Sequence, residues 1–330
     1  MAAHMTGAAL VEPGDCLLGK FRVARVIGKG ATSIVVAARH EQLRTEVALK
    51  ILAGNDNLGG ASRSRFLREA RSVASLRSEH IARVTDVDVD ELGRQFLVME
   101  LLEGRDLAAV IRDEGPLSIE RAVGFVVHAC AGVAHTHTAG ILHRDLKPAN
   151  LFLTRSAEGE PLVKILDFGL ATILDPGLRG LGALTVEGAL TGTPGYMSPE
   201  QLRAPETADS RADVWSLGVI LFELLTASRP FCGTTLPDVI ASILSDDEPL
   251  SVISARTDVP RGLAAVVTAC LQKDVKRRIP NAAQLARALS PWTPLWADGA
   301  ASCAQALSLP SDPPAGKMGS VARPRAHGRP

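Results

Sequence analysis

Ten residues limit what this chain can fold into more than any other stretch: Ile141-Leu142-His143-Arg144-Asp145-Leu146-Lys147-Pro148-Ala149-Asn150, where charged and apolar side chains interleave. Beyond them the strand-like Val163-Lys164-Ile165-Leu166 leads into Asp167-Phe168-Gly169. Charge set among apolar neighbours is costly unless each group finds a partner or a use. A fold that accepts this run must therefore gather several charges at one place and hold them there.

A second stretch poses the same problem. In Val47-Ala48-Leu49-Lys50-Ile51-Leu52, strand alternation puts Lys50 on the face of Ala48 and Leu52, and a buried ammonium needs a partner. On the helix read over Ser62 to Leu76, Glu69 lies three residues after Phe66 and four before Val73, at the edge of the apolar face, and can supply the carboxylate. A snorkelling lysine and a solvated glutamate would show the same pattern. Upstream, Ile27-Gly28-Lys29-Gly30-Ala31-Thr32-Ser33-Ile34-Val35 joins two strand-like runs through glycines that let backbone amides approach an anion. Ser33 stands where the usual phosphate-loop pattern has a third glycine, and a tight hairpin would carry the same glycines.

The order of elements indicates an α+β chain. Strands are read at Phe21 to Ile27, Ile34 to Ala38, Glu46 to Leu52, around Val84 and at Phe96 to Met99. Helices are read at Leu117 to Thr138, Ala212 to Thr226, Leu236 to Ser245, Gly262 to Gln272 and Ala282 to Leu289. Strands first and helices later predict two lobes, divided near residue 102. Residues 1–14 read as a flexible leader. Residues 291–330 are rich in Pro, Ala and Gly, carry four basic side chains, and are expected to be a disordered tail.

Charge excludes a global nucleic-acid footprint, because 36 basic and 36 acidic residues cancel. The five cysteines are widely spaced, without a C-x-x-C pair, and read as small buried apolar residues. The longest apolar stretch, Val214 to Leu225, is too short to span a membrane and carries Glu223. These features predict a soluble, cytoplasmic protein with no membrane segment and no nucleic-acid partner.

Taken together, the glycine loop, Lys50, Glu69, the H-R-D-x-K-x-x-N run, D-F-G and Ser198-Pro199-Glu200 in the place of A-P-E resemble the protein kinase superfamily, in order and in spacing, over roughly residues 15–290. The resemblance implies a bilobal kinase-like fold: a small β-rich N-lobe over about 15–102 with one regulatory helix, and a larger helical C-lobe over about 103–290. It further implies ATP with Mg2+ or Mn2+, and protein substrates offering Ser or Thr hydroxyls. Lys147 and the run from Gly192 to Glu200 look like the serine/threonine class, and Gly-Thr-Pro-Gly-Tyr-Met-Ser-Pro-Glu-Gln looks like its bacterial branch.

Residue roles come from the same resemblance. Asp145 would accept the substrate's hydroxyl proton, Lys147 would reach the transferred phosphate, and Lys50, fixed by Glu69, would hold the α and β phosphates. Asn150 and Asp167 would hold the metal. The nucleotide would contact residues 27–33 (Ile27, Gly28, Lys29, Gly30, Ala31, Thr32, Ser33) and Val35, Ala48, Met99, Glu100, Leu102 and Asp106. His143 and Phe168 would be structural, with Asp213 and the ion pair of Glu200 with Arg278, a register that the adjacent Arg277 leaves open. Thr185, Thr191 and Thr193 lie in the segment that resembles an activation loop, where a phosphate would meet Arg144. Self-phosphorylation there, with a transient homodimer for transfer in trans, is the expected regulation. Three other readings compete: a pseudokinase, which usually lacks one of the residues found here at Lys50, Asp145 and Asp167; a small-molecule kinase, which lacks Lys147 with the S-P-E run; and a basic tail that serves as a nucleic-acid or partner arm.

Overall fold

The computed structural model describes residues 11–30, 33–52, 67, 70–167 and 194–293. Strands β1 (Cys16–Leu17), β2 (Phe21–Lys29), β3 (Ser33–His40), β4 (Glu46–Leu52), β5 (Val84–Val89) and β6 (Gln95–Glu100) build one antiparallel sheet in the order β1-β2-β3-β4-β6-β5. Alternation decides which face each residue serves. Leu49 and Ile51 join Phe21, Val36, Phe96 and Val98 in a core on one face, whereas Leu52 joins Leu97, Ala70 and Val73 on the other. Lys50 therefore lies on the second face, as its pattern predicts. Val11, inside the stretch read as leader, packs into the first core, so ordered structure reaches at least that far.

Residues 70–75 are helical and mark the end of the helix expected from Ser62. Past β6 the chain enters the short strand β7 (Arg105–Asp106), helix α1 (Leu107–Glu114) and the long helix α2 (Ile119–Thr138). The hairpin of β8 (Leu151–Arg155) and β9 (Pro161–Ile165) pairs with β7 in a sheet of order β7-β8-β9. Then follow α3 (Pro199–Arg203), α4 (Arg211–Thr226), α5 (Leu236–Leu244), α6 (Val252–Ala255), α7 (Arg261–Cys270) and α8 (Ala282–Leu289). Helix α4 has no polar face: Val214 to Phe222 is buried all round, so the helix runs through the C-lobe core between α2, α7 and α8. It ends where Ala227 takes a left-handed φ of 53° and its N–H bonds the Glu223 carbonyl.

The observed helices begin and end within a few residues of the expected ones. Helix α2 starts at Ile119 and not at Leu117 because the Ser118 hydroxyl caps it, accepting from the Arg121 N–H. Two corrections concern composition-based readings. Cys130 and Cys270 are buried, but Cys16 and Cys232 are exposed, so the apolar reading of cysteine holds for half of those described. Strand β8 and helix α1 had no sequence reading; both are short, and β8 owes its existence to pairing with β9. No described helix is long and apolar enough to cross a membrane.

Candidate active site

The loop from Ile141 to Asn150 is built outward from one buried carboxylate. Asp213, in the first turn of α4 and 1% exposed, accepts hydrogen bonds from the His143 N–H at 3.0 Å, the Arg144 N–H at 2.9 Å and His137 Nε2 at 2.7 Å. Burial works to raise its pKa, yet the bond and charge of His137, with the charge and backbone bond of His143, outweigh it and hold the carboxyl below the ordinary range. Arg144 is thereby held at φ 64°, a left-handed conformation that a non-glycine residue keeps only when its surroundings enforce it. His143 is fully buried, with Nε2 3.0 Å from the Leu166 carbonyl and Nδ1 accepting the Asp145 N–H at 3.3 Å, which fixes one tautomer.

On this base stands Asp145, a third exposed. Lys147 Nζ lies 3.1 and 2.8 Å from its two oxygens, and Asn150 Nδ2 donates to its backbone carbonyl at 2.7 Å and to Oδ2 at 3.1 Å. Three of the expected residues are thus in direct contact. Their carboxylate is oriented by two donors and stays accessible, as a proton acceptor must be.

From the N-lobe, Lys50 reaches the same region. It is 8% exposed, and its Nζ pairs with Asp167 Oδ1 at 2.8 Å, which joins the central strand of the upper sheet to the chain just after β9. Asp167 also has a left-handed φ, 52°. Glu69, the partner expected for Lys50, lies outside the described residues, as do Ala31, Thr32, Phe168, Thr185, Thr191 and Thr193. Ile27, Gly28, Lys29, Gly30 and Ser33 form the β2–β3 turn, closed by a bond from the Gly30 N–H to the Ser33 carbonyl at 2.7 Å. Ala48 pairs in register with Met99, and Val35 with Lys50, so these side chains ring the space beneath the turn.

Two residues expected to touch nucleotide have structural tasks as well. Glu100 accepts the Arg83 N–H at 2.7 Å and Lys164 Nζ at 2.8 Å, so its side chain ties β6 to β9. Asp106 Oδ1 caps α1 through the Ala109 N–H at 2.8 Å. Arg278 is settled against Arg277: its guanidinium forks onto Glu200 at 2.6 and 3.0 Å, also bonds the Gln272 and Arg211 carbonyls, and sits over the Trp215 ring. Sequence reasoning did not find His137, the pair of Lys164 with Glu100, or Gln201, whose Nε2 bonds the Arg144 carbonyl at 3.0 Å.

A strand-rich lobe and a helical lobe thus close on two carboxylates, two lysines and an asparagine under a glycine turn. The model for the protein kinase domain matches residues 21–290, and the chain belongs to the protein kinase family. It is 36% identical over 285 residues to the serine/threonine-protein kinase pkn2 of Myxococcus xanthus, an alignment covering 85% of this chain and 33% of that protein. It is 34% identical to the serine/threonine-protein kinase PknB of Mycolicibacterium smegmatis, over 82% of this chain and 42% of that protein. The chain thus spans well under half the length of these relatives. Among solved structures, the PknI kinase domain of Mycobacterium tuberculosis superposes with a TM-score of 0.66 at 24% identity, covering 86% of this chain and all (100%) of that one. Rad53 residues 1–466 in complex with AMP-PNP gives 0.67 at 25% identity, over 83% of this chain and 65% of that one.

Proposed function

We propose that this chain is a serine/threonine protein kinase that transfers the γ-phosphoryl group of ATP to hydroxyls of protein substrates. The observation that carries this reading is the orientation of Asp145 by Lys147 and Asn150, together with the Lys50–Asp167 pair, in which the lysine comes from the N-lobe. Phosphoryl transfer needs little covalent help and much positioning of charge. Asp145 accepts the proton of the incoming hydroxyl; Lys147, two residues on, balances charge on the transferred group; Lys50 binds the α and β phosphates; and the backbone around Leu102 takes the base. The relatives' names support the serine/threonine class, and the AMP-PNP complex of a structural neighbour supports a nucleotide in the cleft.

The donor set fits a hard cation. Lys50 engages one oxygen of Asp167 and Nδ2 of Asn150 is turned to Asp145, which leaves a carboxylate oxygen and an amide oxygen, the ligand chemistry that Mg2+ or Mn2+ prefers. When bound, the cation neutralises charge on the phosphates. Arg144 supports regulation by phosphate: its Nε is buried without a hydrogen-bond partner among the described residues, in a backbone conformation that Asp213 enforces. A phosphate on Thr185, Thr191 or Thr193 carries about two negative charges and would complete it, placed there by transfer within a transient pair of chains.

Incubation of the chain and its Asp145→Asn variant with labelled ATP, Mg2+ and a generic basic protein tests this reading. Loss of the general base lowers turnover by about a hundredfold to ten-thousandfold while nucleotide binding persists. Peptide mapping locates the loop phosphate, with Thr185 the expected position. Near wild-type turnover by Asp145→Asn would overturn the mechanism.

A further inference from the structure

Behind the catalytic cleft lies a groove that phosphoryl transfer does not use. Helical spacing places Arg121, Phe125 and His128 along one face of α2, and the β8–β9 hairpin runs beside them. Between the two are adjoining hollows of about 790 and 670 Å3 that meet at Arg121 and Pro161, residues common to both. The first hollow is ringed by Arg105, Arg121 and Arg155, with Glu103 the one acid among its lining residues, over Phe125 and Leu153. The second is lined by Glu79, Glu120, Glu158 and Glu160, with His80 and His128 beneath. Since the chain carries no net charge, this separation is local to the groove.

The arginines are positioned in advance. Arg121 bonds Glu114 Oε2 at 2.6 Å and lies 5.5 Å from the Phe125 ring centroid, Arg105 is held by the same glutamate, and Arg155 bonds the Gly159 carbonyl at 2.7 Å. A guanidinium has five N–H donors, so each keeps donors for a ligand carboxylate while its side-chain entropy is already lost. In the second hollow His80 Nε2 is buried and has no hydrogen-bond partner among the described residues. The rise of α2 from Arg121 to His128 is about 10 Å, which about three residues of extended peptide cover.

We propose that this groove docks an extended segment of a partner protein in which acidic residues are separated from basic ones by about three apolar residues. The acidic end pairs with Arg105, Arg121 and Arg155; the apolar residues lie against Leu153 and Pro161; the basic end meets Glu120, Glu158 and Glu160. Nucleic acid does not fit, because four glutamates would face its phosphates. The groove also has a mechanical link to the cleft. Arg105 and Asp106 are neighbours on β7, so they point to opposite faces, one into the groove and the other to the cap of α1. Gly104, at φ 141°, presses against the Leu153 carbonyl so closely that any side chain would overlap it.

Fluorescence anisotropy with the full chain, without nucleotide, tests the proposal. The probe is a labelled peptide of sequence Glu-Glu-Ala-Leu-Pro-Lys-Arg, compared with all-acidic and all-basic peptides of equal length. The dipolar peptide is expected to bind at least about tenfold more tightly than either control, an advantage that added salt reduces. Arg155→Glu is expected to shift the preference to the all-basic peptide and Glu158→Arg to the all-acidic one, each with an unchanged melting temperature. Equal binding of the three peptides, or wild-type preference in both variants, would overturn it. Asp145→Asn protein must bind as wild type does, so failure of the docking site and failure of the kinase reading are told apart.

Discussion

Helix α2 carries two histidines nine residues apart that enter opposite kinds of buried surroundings. His137 meets a carboxylate: its Nε2 lies 2.7 Å from Asp213, which two backbone donors also reach. His128 meets another histidine, the His80 ring at 4.5 Å between centroids, and its Nδ1 accepts the Val163 N–H at 3.2 Å. Burial, with the neighbouring His80, pushes the His128 pKa down to about 3, and burial lowers that of His80 as well. The contrast teaches that what a buried group faces decides whether it anchors or weakens the fold. The first cluster holds the catalytic loop. The second seals the seam where the residue 78–82 loop, through bonds between His80 and Ile165 and between Ala82 and Ile165, is stitched to β9. Helix α2 comes so close there that a Cβ on Gly132 would lie 2.7 Å from the His80 carbonyl.

The largest effect is expected where buried charge is best satisfied. Arg278 belongs with the Asp213 foundation: it bonds Glu200 and two carbonyls, and rests on Trp215 in the same helix as Asp213. Arg278→Ala leaves Glu200 without its partner, and removing one member of a buried pair costs about 3 to 5 kcal/mol. Urea unfolding of the two proteins measures it. A loss under about 1 kcal/mol, the range of a surface pair, would erase the distinction between the two clusters.

Acid probes the weaker cluster. Unfolded histidine binds a proton near pH 6.5, whereas His128 in the folded chain does so near pH 3. The unfolded state therefore binds more protons throughout that interval; the contribution of His128 is complete above its unfolded pKa and declines as pH falls below it. Between about pH 7 and about pH 5.5 the loss from His128 is on the order of 1 kcal/mol, and His80 adds to it in the same direction. His128→Asn keeps an acceptor for the Val163 N–H and removes the titration, so its stability should fall less over this interval. Parallel curves for the two proteins would show that the acid response originates elsewhere.

What could be read from the sequence follows the range of the interactions. Asp145, Lys147 and Asn150 lie within six residues, so their contact was legible. So was the buried course of α4, because its apolar residues are contiguous. Lys50 was placed on the correct face by alternation alone. The partners of Asp213 were not: His137 lies 76 residues away, and no periodicity pairs a helix histidine with a distant aspartate. Lys164 with Glu100 is a link of 64 residues of the same kind. Arg278 could not be told from Arg277 until packing over Trp215 selected it. His80 and His128 each look ordinary in sequence, and only the approach of the 78–82 loop to α2 makes them neighbours.

The smallest effect tests whether the seam also has an electrostatic helper. Glu79 Oε1 lies 3.8 Å from His80 Nε2, beyond hydrogen-bond reach, and its carboxylate opposes the downward push that burial exerts on the His80 pKa. The Val163 carbonyl opposes it too, whereas the smaller effects of His135 and Lys164 act with burial. Glu79→Gln removes the carboxylate's opposition, lowers the folded pKa further and should make the acid loss of stability steeper. Because the Glu79 side chain is 59% exposed, solvent screens the attraction, and the change should stay within a few tenths of a kcal/mol, as for exposed pairs. In about 1 M salt, where the Debye length is about 3 Å, it should vanish. The cost of Arg278→Ala should survive the same salt, since Arg278 and its partners are shielded from water. If Glu79→Gln steepens the acid limb equally at low and high salt, the carboxylate acts on the loop's packing and not on the charge of His80.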